Sequence, residues 1–140
     1  MTSSTLAQKQ IAVNVLKHTY ALCEALRQDY INYCIKGHQR SMSNGDYVAY
    51  HKAAIDDLKT GDYGYKYYPE TGKKYHKIVM ETDGGSRSVH AFVDKNTGEV
   101  YKSASWKSPA KGVRYDLRLI ADREYLLEKA DWAGAYLYAR

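Results

Sequence analysis

A chain of 140 residues, 44% of them hydrophobic, is long enough for one domain with a real core. It holds no apolar run of the length that a membrane span or the centre of a signal peptide needs, so a cytoplasmic protein is expected. The formal charge of +5 leans towards anionic partners, and 15 Tyr against one Phe and two Trp supply apolar area with a polar handle, suited to interfaces and base stacking.

Thr5 followed by Gln8 matches a capping box, which starts a helix. Ile11, Val15, Thr19, Leu22, Leu26, Tyr30 and Tyr33 then recur every three or four residues, with Ala12, Leu16 and Cys23 broadening the stripe, until Gly37 stops it after Lys36. Such a helix, about 32 residues and roughly 48 Å long, exceeds the width of a domain this size, so it must kink, project or pair with another subunit. A homo-oligomer with this helix in its interface is expected. The alternative is a bent helix wrapped on its own sheet. Cys23 and Cys34 lie too far apart along the helix to bridge each other, which fits a reducing compartment.

Residues 37–44 read as a loop. Ser43 with Asp46 signals a second cap, and Tyr47, Val48, His51, Ala54, Ile55 and Leu58 form an amphipathic helix closed by Gly61. From Asp62 the period becomes two. Tyr63, Tyr65 and Tyr67 give a tyrosine-faced strand, Pro69-Glu70-Thr71-Gly72 turns, and residues 74–82 return. Asp83-Gly84-Gly85-Ser86 is a hairpin turn. Residues 87–94 place Val89, Ala91 and Val93 on one face and His90, Phe92 and Asp94 on the other; Lys95-Asn96-Thr97-Gly98 reverses into a strand at 99–103. Four strands joined by short turns make an antiparallel meander. Residues 105–112 have no period, and Pro109 cannot donate to a ladder. Helical character resumes over 113–120, and 123–138 read as a further helix, with Trp132 docking on the sheet or on the first helix. The expected architecture is therefore one α+β domain over residues 1–140: a helical part at 1–61, an antiparallel sheet at 62–105, and a basic loop with C-terminal helices at 106–140.

Chemistry concentrates between residues 87 and 118. Trp106 sits among Lys102, Lys107, Lys111, Arg114 and Arg118, and a basic, aromatic-bearing loop is suited to hold a phosphate and stack a base. Arg114 and Arg118, four apart, would share one helical face. The other reading makes Trp106 a core plug behind a rim of solvated lysines. The histidines at 18, 38, 51, 76 and 90 show neither HxxxH nor HExxH spacing, so no metal site is expected, and His51 reads as a core histidine. Neither a P-loop nor GxGxxG is present. His90, beside Arg87 or across from Tyr101, is the acid–base candidate, but no triad accompanies it. A non-enzymatic protein without a cofactor is expected.

The segments Val89-His90-Ala91-Phe92-Val93-Asp94-Lys95-Asn96-Thr97-Gly98-Glu99-Val100-Tyr101-Lys102 and Ser105-Trp106-Lys107-Ser108-Pro109-Ala110-Lys111-Gly112-Val113-Arg114 resemble a pattern in short proteins of tailed bacteriophages. More loosely, the layout of long first helix, antiparallel sheet and C-terminal helices with paired arginines is similar to phage sponges that oppose Thoeris immunity. That resemblance implies an oligomer that sequesters a cyclic ADP-ribose-type signal nucleotide in the cytoplasm of an infected bacterium. On chemistry alone, the expected ligand-binding residues are Arg87, His90, Phe92, Lys102, Trp106, Lys107, Lys111, Arg114 and Arg118. A single-stranded nucleic-acid binder using the tyrosine-faced sheet is the second expectation, and a structural or host-protein-binding phage protein the third.

Overall fold

A computed structural model describes residues 5–60 and 65–138. Helix α1 (Leu6–Ser43) is followed by α2 (Val48–Thr60), then strands β1 (Lys66–Thr71), β2 (Tyr75–Glu81), β3 (Arg87–Asp94), β4 (Glu99–Lys102) and β5 (Tyr115–Asp116), helix α3 (Ile120–Lys129) and a 3-10 turn at Ala135–Leu137. The sheet runs β1-β2-β3-β4-β5 with every neighbouring pair antiparallel. The α+β architecture with its meander is thus present, with one more short strand than the four expected.

Thr5 closes a full capping box: its hydroxyl accepts the Gln8 N–H at 3.1 Å and the Gln8 side chain accepts the Thr5 N–H at 2.8 Å. The helix does not stop at Gly37. It runs through the expected 37–44 loop to Ser43 and ends where Gly45 takes a φ of 81°, a value open to glycine at no steric cost. A mid-helix glycine costs about 1 kcal/mol, and antiparallel packing of α2 on this half of α1, with Leu58 near Ile31, offsets that. With 38 residues α1 spans about 57 Å; one part packs on the sheet and the rest projects as a hairpin with α2. Val15, Leu22, Cys23 and Leu26 are buried against the sheet, so this stripe is core and not a free interface. Gly61 and Tyr63 lie outside the described residues.

Pro69, expected in a turn, sits inside β1 opposite Ile78. β1 is an edge strand, where a residue without a donor is tolerated, and the turn falls at residues 72–74 instead. Between β2 and β3 the register shifts: Ile78 faces Ala91 and Val79 faces Val89, leaving His90 as an extra residue. The bulge breaks the simple alternation. Ala91 and Val93 reach the core, His90 joins their side against Tyr67 and Tyr136, and Phe92 turns to the opposite face against Tyr75. Asp94 then accepts the Asn96 and Thr97 N–H groups, and Gly98, at φ 80°, completes the reversal.

Residues 113–119 are not helical. Tyr115 pairs with Val100 and Asp116 with Glu99, and helix begins only at Ile120. Tyr115 and Leu117 are buried on alternate positions, a period of two that binds the segment to the sheet edge. Arg114 and Arg118 therefore share no helical face. The helix expected over 123–138 breaks after Lys129: the Trp132 N–H donates to Asp29 of α1 at 2.9 Å, and Asp131 accepts the Ala135 and Tyr136 N–H groups to start the 3-10 turn. The Trp132 ring docks on Tyr30 and Tyr33 of α1, the first-helix alternative. The core lies between α1, α3 and one sheet face, through Leu22, Leu26, Ile78, Val93, Val100, Leu117, Leu126 and Leu137. Across the other face lies the irregular segment 103–112, tied by the Ala110 N–H to the Lys102 carbonyl at 2.7 Å.

Candidate functional site

On this second face β2 carries Tyr75 and Lys77, β3 carries Arg87 and Phe92, and β4 carries Tyr101. Tyr75 meets Phe92 and Tyr101 edge-on, at 5.6 and 6.1 Å between centroids. Trp106 descends from the loop into a cationic sandwich, with the Lys77 ammonium 4.4 Å and the Arg87 guanidinium carbon 5.1 Å from its ring. A cation over an indole face is attracted by the ring quadrupole. Trp106 remains 39% exposed, so it is not a core plug. Arg87 is fixed by an ion pair with Glu70 and by donating to the Tyr68 hydroxyl at 3.1 Å, which in turn donates to Glu81 at 2.8 Å.

Beside Trp106 opens a cleft of about 280 Å³ lined by Lys73, Lys74, Tyr75, Lys77, Phe92 and Lys107. Its acidic residue, Glu70, is already occupied by Arg87. Four lysines lining one cleft beside the Tyr75 ring suit an anion. Lys95 donates to the Gly72 carbonyl at 2.8 Å and holds the β1–β2 turn that presents Lys73 and Lys74.

Of the nine expected residues, the structure groups Arg87, Phe92, Trp106 and Lys107 on this face. His90 and Lys102 line a different cavity, of about 340 Å³, with Met80, Ser88, Trp132 and Gly134. There the His90 Nε2 lies 2.8 Å from the Tyr136 hydroxyl, and desolvation lowers its pKa to about 4 against the opposing pull of Asp131. A histidine neutral at pH 7 and already paired is poorly placed for the acid–base role. Lys102 covers the Tyr138 ring at 4.6 Å. Lys111 is exposed on the loop, and its carbonyl accepts from Arg114. Arg114 is a structural clamp: its Nε donates to the Leu137 carbonyl at 2.7 Å and its terminal nitrogen to those of Lys111 and Gly112 at 3.2 and 2.9 Å. Arg118 lies over the β3–β4 turn, so close that a Cβ on Gly98 would stand 3.1 Å from its Cγ.

Sequence reasoning missed Lys73, Lys74, Tyr75 and Lys77. Their signal is legible in hindsight: three lysines in five residues at a strand start, with Tyr75 and Lys77 two apart and hence on one face.

The fold and site define an α+β protein with α1 and α3 on one sheet face, a projecting α1–α2 hairpin, and a basic cleft on the other face. The chain belongs to the family of unknown function DUF7717, which matches residues 1–139. No curated protein and no solved structure matches it.

Proposed function

We propose that this protein is a non-enzymatic binder of a phosphate-bearing nucleotide, of the cyclic ADP-ribose signal type that its resemblance to phage counter-defence sponges implies. The observation that carries the reading is that Lys73, Lys74, Lys77 and Lys107 line one cleft with Tyr75. Lysines act as point charges on phosphate and do not impose the two-pronged geometry of arginine, so the reading replaces the arginine forks expected at Arg114 and Arg118. At about 280 Å³ the cleft lies just below the usual range of ligand sites and has room for a phosphate with one sugar or base, so the remainder of an ADP-ribose-type nucleotide would lie outside it, over the surrounding lysines. Native mass spectrometry with ADP-ribose, its cyclic form and AMP tests this. Retention of ADP-ribose species, released intact on denaturation and lost in Lys74→Glu/Lys77→Glu, is expected. Release of a cleaved product would contradict the non-enzymatic reading.

A single-stranded nucleic-acid platform is the second reading, favoured by the Tyr75, Phe92 and Tyr101 rings crossing three strands. Against it, Phe92 is 2% exposed and the rings meet edge-on, which leaves little open π-face. A shallow fall of affinity with salt fits one nucleotide; a steep one, from many phosphates, fits a strand.

The proposal includes a homo-oligomer, with its interface moved off the Leu22 face. Leu6, Val13 and Tyr20 are exposed and recur every seventh residue of α1, in one line along the helix.

A further inference from the structure

The two helices of the projecting hairpin bring together histidines 13 residues apart in sequence, a spacing that no metal motif covers. His38 of α1 and His51 of α2 face each other Nδ1 to Nδ1 at 2.7 Å, with ring centroids 4.9 Å apart and planes inclined by 50°. Tyr50 packs edge-on against both imidazoles, at 6.4 and 5.1 Å. Both histidines are half-buried, so one side of the pair is held by protein and the other reaches water.

We infer that His38 and His51 form a two-histidine site for a divalent ion of square or tetragonal preference, Cu²⁺ or Ni²⁺, which clamps α2 to α1. Imidazole nitrogen suits these ions. Two nitrogens 2.7 Å apart subtend roughly 80° at an ion about 2.0–2.1 Å from each. That is close to the right angle of a square or tetragonal complex and well short of the tetrahedral angle that Zn²⁺ prefers. The nitrogens need move only a few tenths of an ångström, but each ring must swing by up to about 50° so that its lone pair leaves the N···N line for the ion. Without an ion, one Nδ1–H donates to the other Nδ1. On binding, that ring moves its proton to Nε2, both Nδ1 lone pairs turn to the ion, and no net charge is lost from the pair. Among the described residues no third His, Cys, Asp or Glu completes a larger set, so water fills the remaining positions. Because the ligands come from two helices, the ion would add a bond between elements that otherwise meet through the His38–His51 hydrogen bond, the Tyr50 ring and the buried Ile55 and Leu58.

The test uses the full chain without a polyhistidine tag. Titration calorimetry with Ni²⁺ should give one ion per chain, bound more tightly than Zn²⁺. His38→Ala and His51→Gln should each weaken it at least tenfold, and His18→Ala should leave it unchanged. In a Cys34→Ser background, the electron paramagnetic resonance spectrum of one equivalent of Cu²⁺ should show coupling to two imidazole nitrogens, a readout on the otherwise unaltered pair that does not depend on how those variants fold. No Ni²⁺ binding, equal affinity in the wild type and both variants, or copper coupled to fewer than two imidazoles would overturn the site. Zn²⁺ bound as tightly as Ni²⁺ would overturn the geometric preference.

Discussion

Arg114 holds three backbone carbonyls from two segments, Leu137 on the C-terminal turn and Lys111 and Gly112 on the basic loop. A charged donor that ties segments in this way stabilises the fold, by about 1–3 kcal/mol. Arg114→Lys should therefore lower the melting temperature by several degrees and leave ADP-ribose affinity unchanged. Lost affinity with an unchanged melt would return Arg114 to the site. Its role could not be seen in the sequence, because the carbonyl it holds at Leu137 is 23 residues away. His90 is a second residue whose chemistry is structural. Its folded pKa, about 4, lies below the solution value of 6.5, so the unfolded chain takes up the proton first as pH falls. Stability from keeping His90 neutral is complete above pH 6.5 and is lost on descent to about 4, at most about 3 kcal/mol. Burial lowers the His18 and His76 values too, so they add to the same acid-side loss. Urea midpoints measured from pH 7 to 4 should fall, and His90→Gln, which keeps a partner for Tyr136, should flatten part of that slope. An identical slope in the variant would contradict the burial account.

Local pattern made the elements legible wherever local pattern decided them. The Thr5 capping box, the β3 limits, β2 to within one residue at each end and the reversal at Gly98 follow from caps, periodicity and glycine. Where tertiary contacts decide, the sequence is silent. Gly37 stays helical because α2 packs beside it. Tyr115 and Asp116 become a short strand because Tyr115 finds Val100 across the sheet edge. The His90 bulge, one extra residue in β3, cannot be told from an ordinary alternation. That bulge is what separated His90 from Phe92, and with it the expected site into two cavities. The α1 stripe shows how a correct periodicity can carry a wrong role: Leu22 and Leu26 are wholly buried against the sheet. Leu22→Glu should unfold the protein, since an unpaired charge would enter the core. Loss of the cooperative thermal transition is the expected result. A folded variant of reduced mass would restore the stripe as an interface.

At the scale of the molecule, the sheet divides labour: one face is closed by α1, α3 and the 3-10 turn, and the other is left to a loop, lysines and aromatic rings. The proposed oligomer would use neither face. Light scattering at micromolar concentration should give a dimer or larger, and Val13→Glu/Tyr20→Glu should reduce it to a 16.0 kDa monomer with little change in melting temperature. A wild-type monomer throughout would remove the oligomer from the proposal. Ligand binding on the open face is read by nuclear magnetic resonance, titrating ¹⁵N-labelled protein with ADP-ribose and recording which amides move. The account predicts saturable shifts at Gly72, Lys73, Lys74, Tyr75, Phe92 and Lys107. Shifts confined to Ser88, His90, Lys102 and Gly134, or to the surroundings of Arg114 and Arg118, would contradict it.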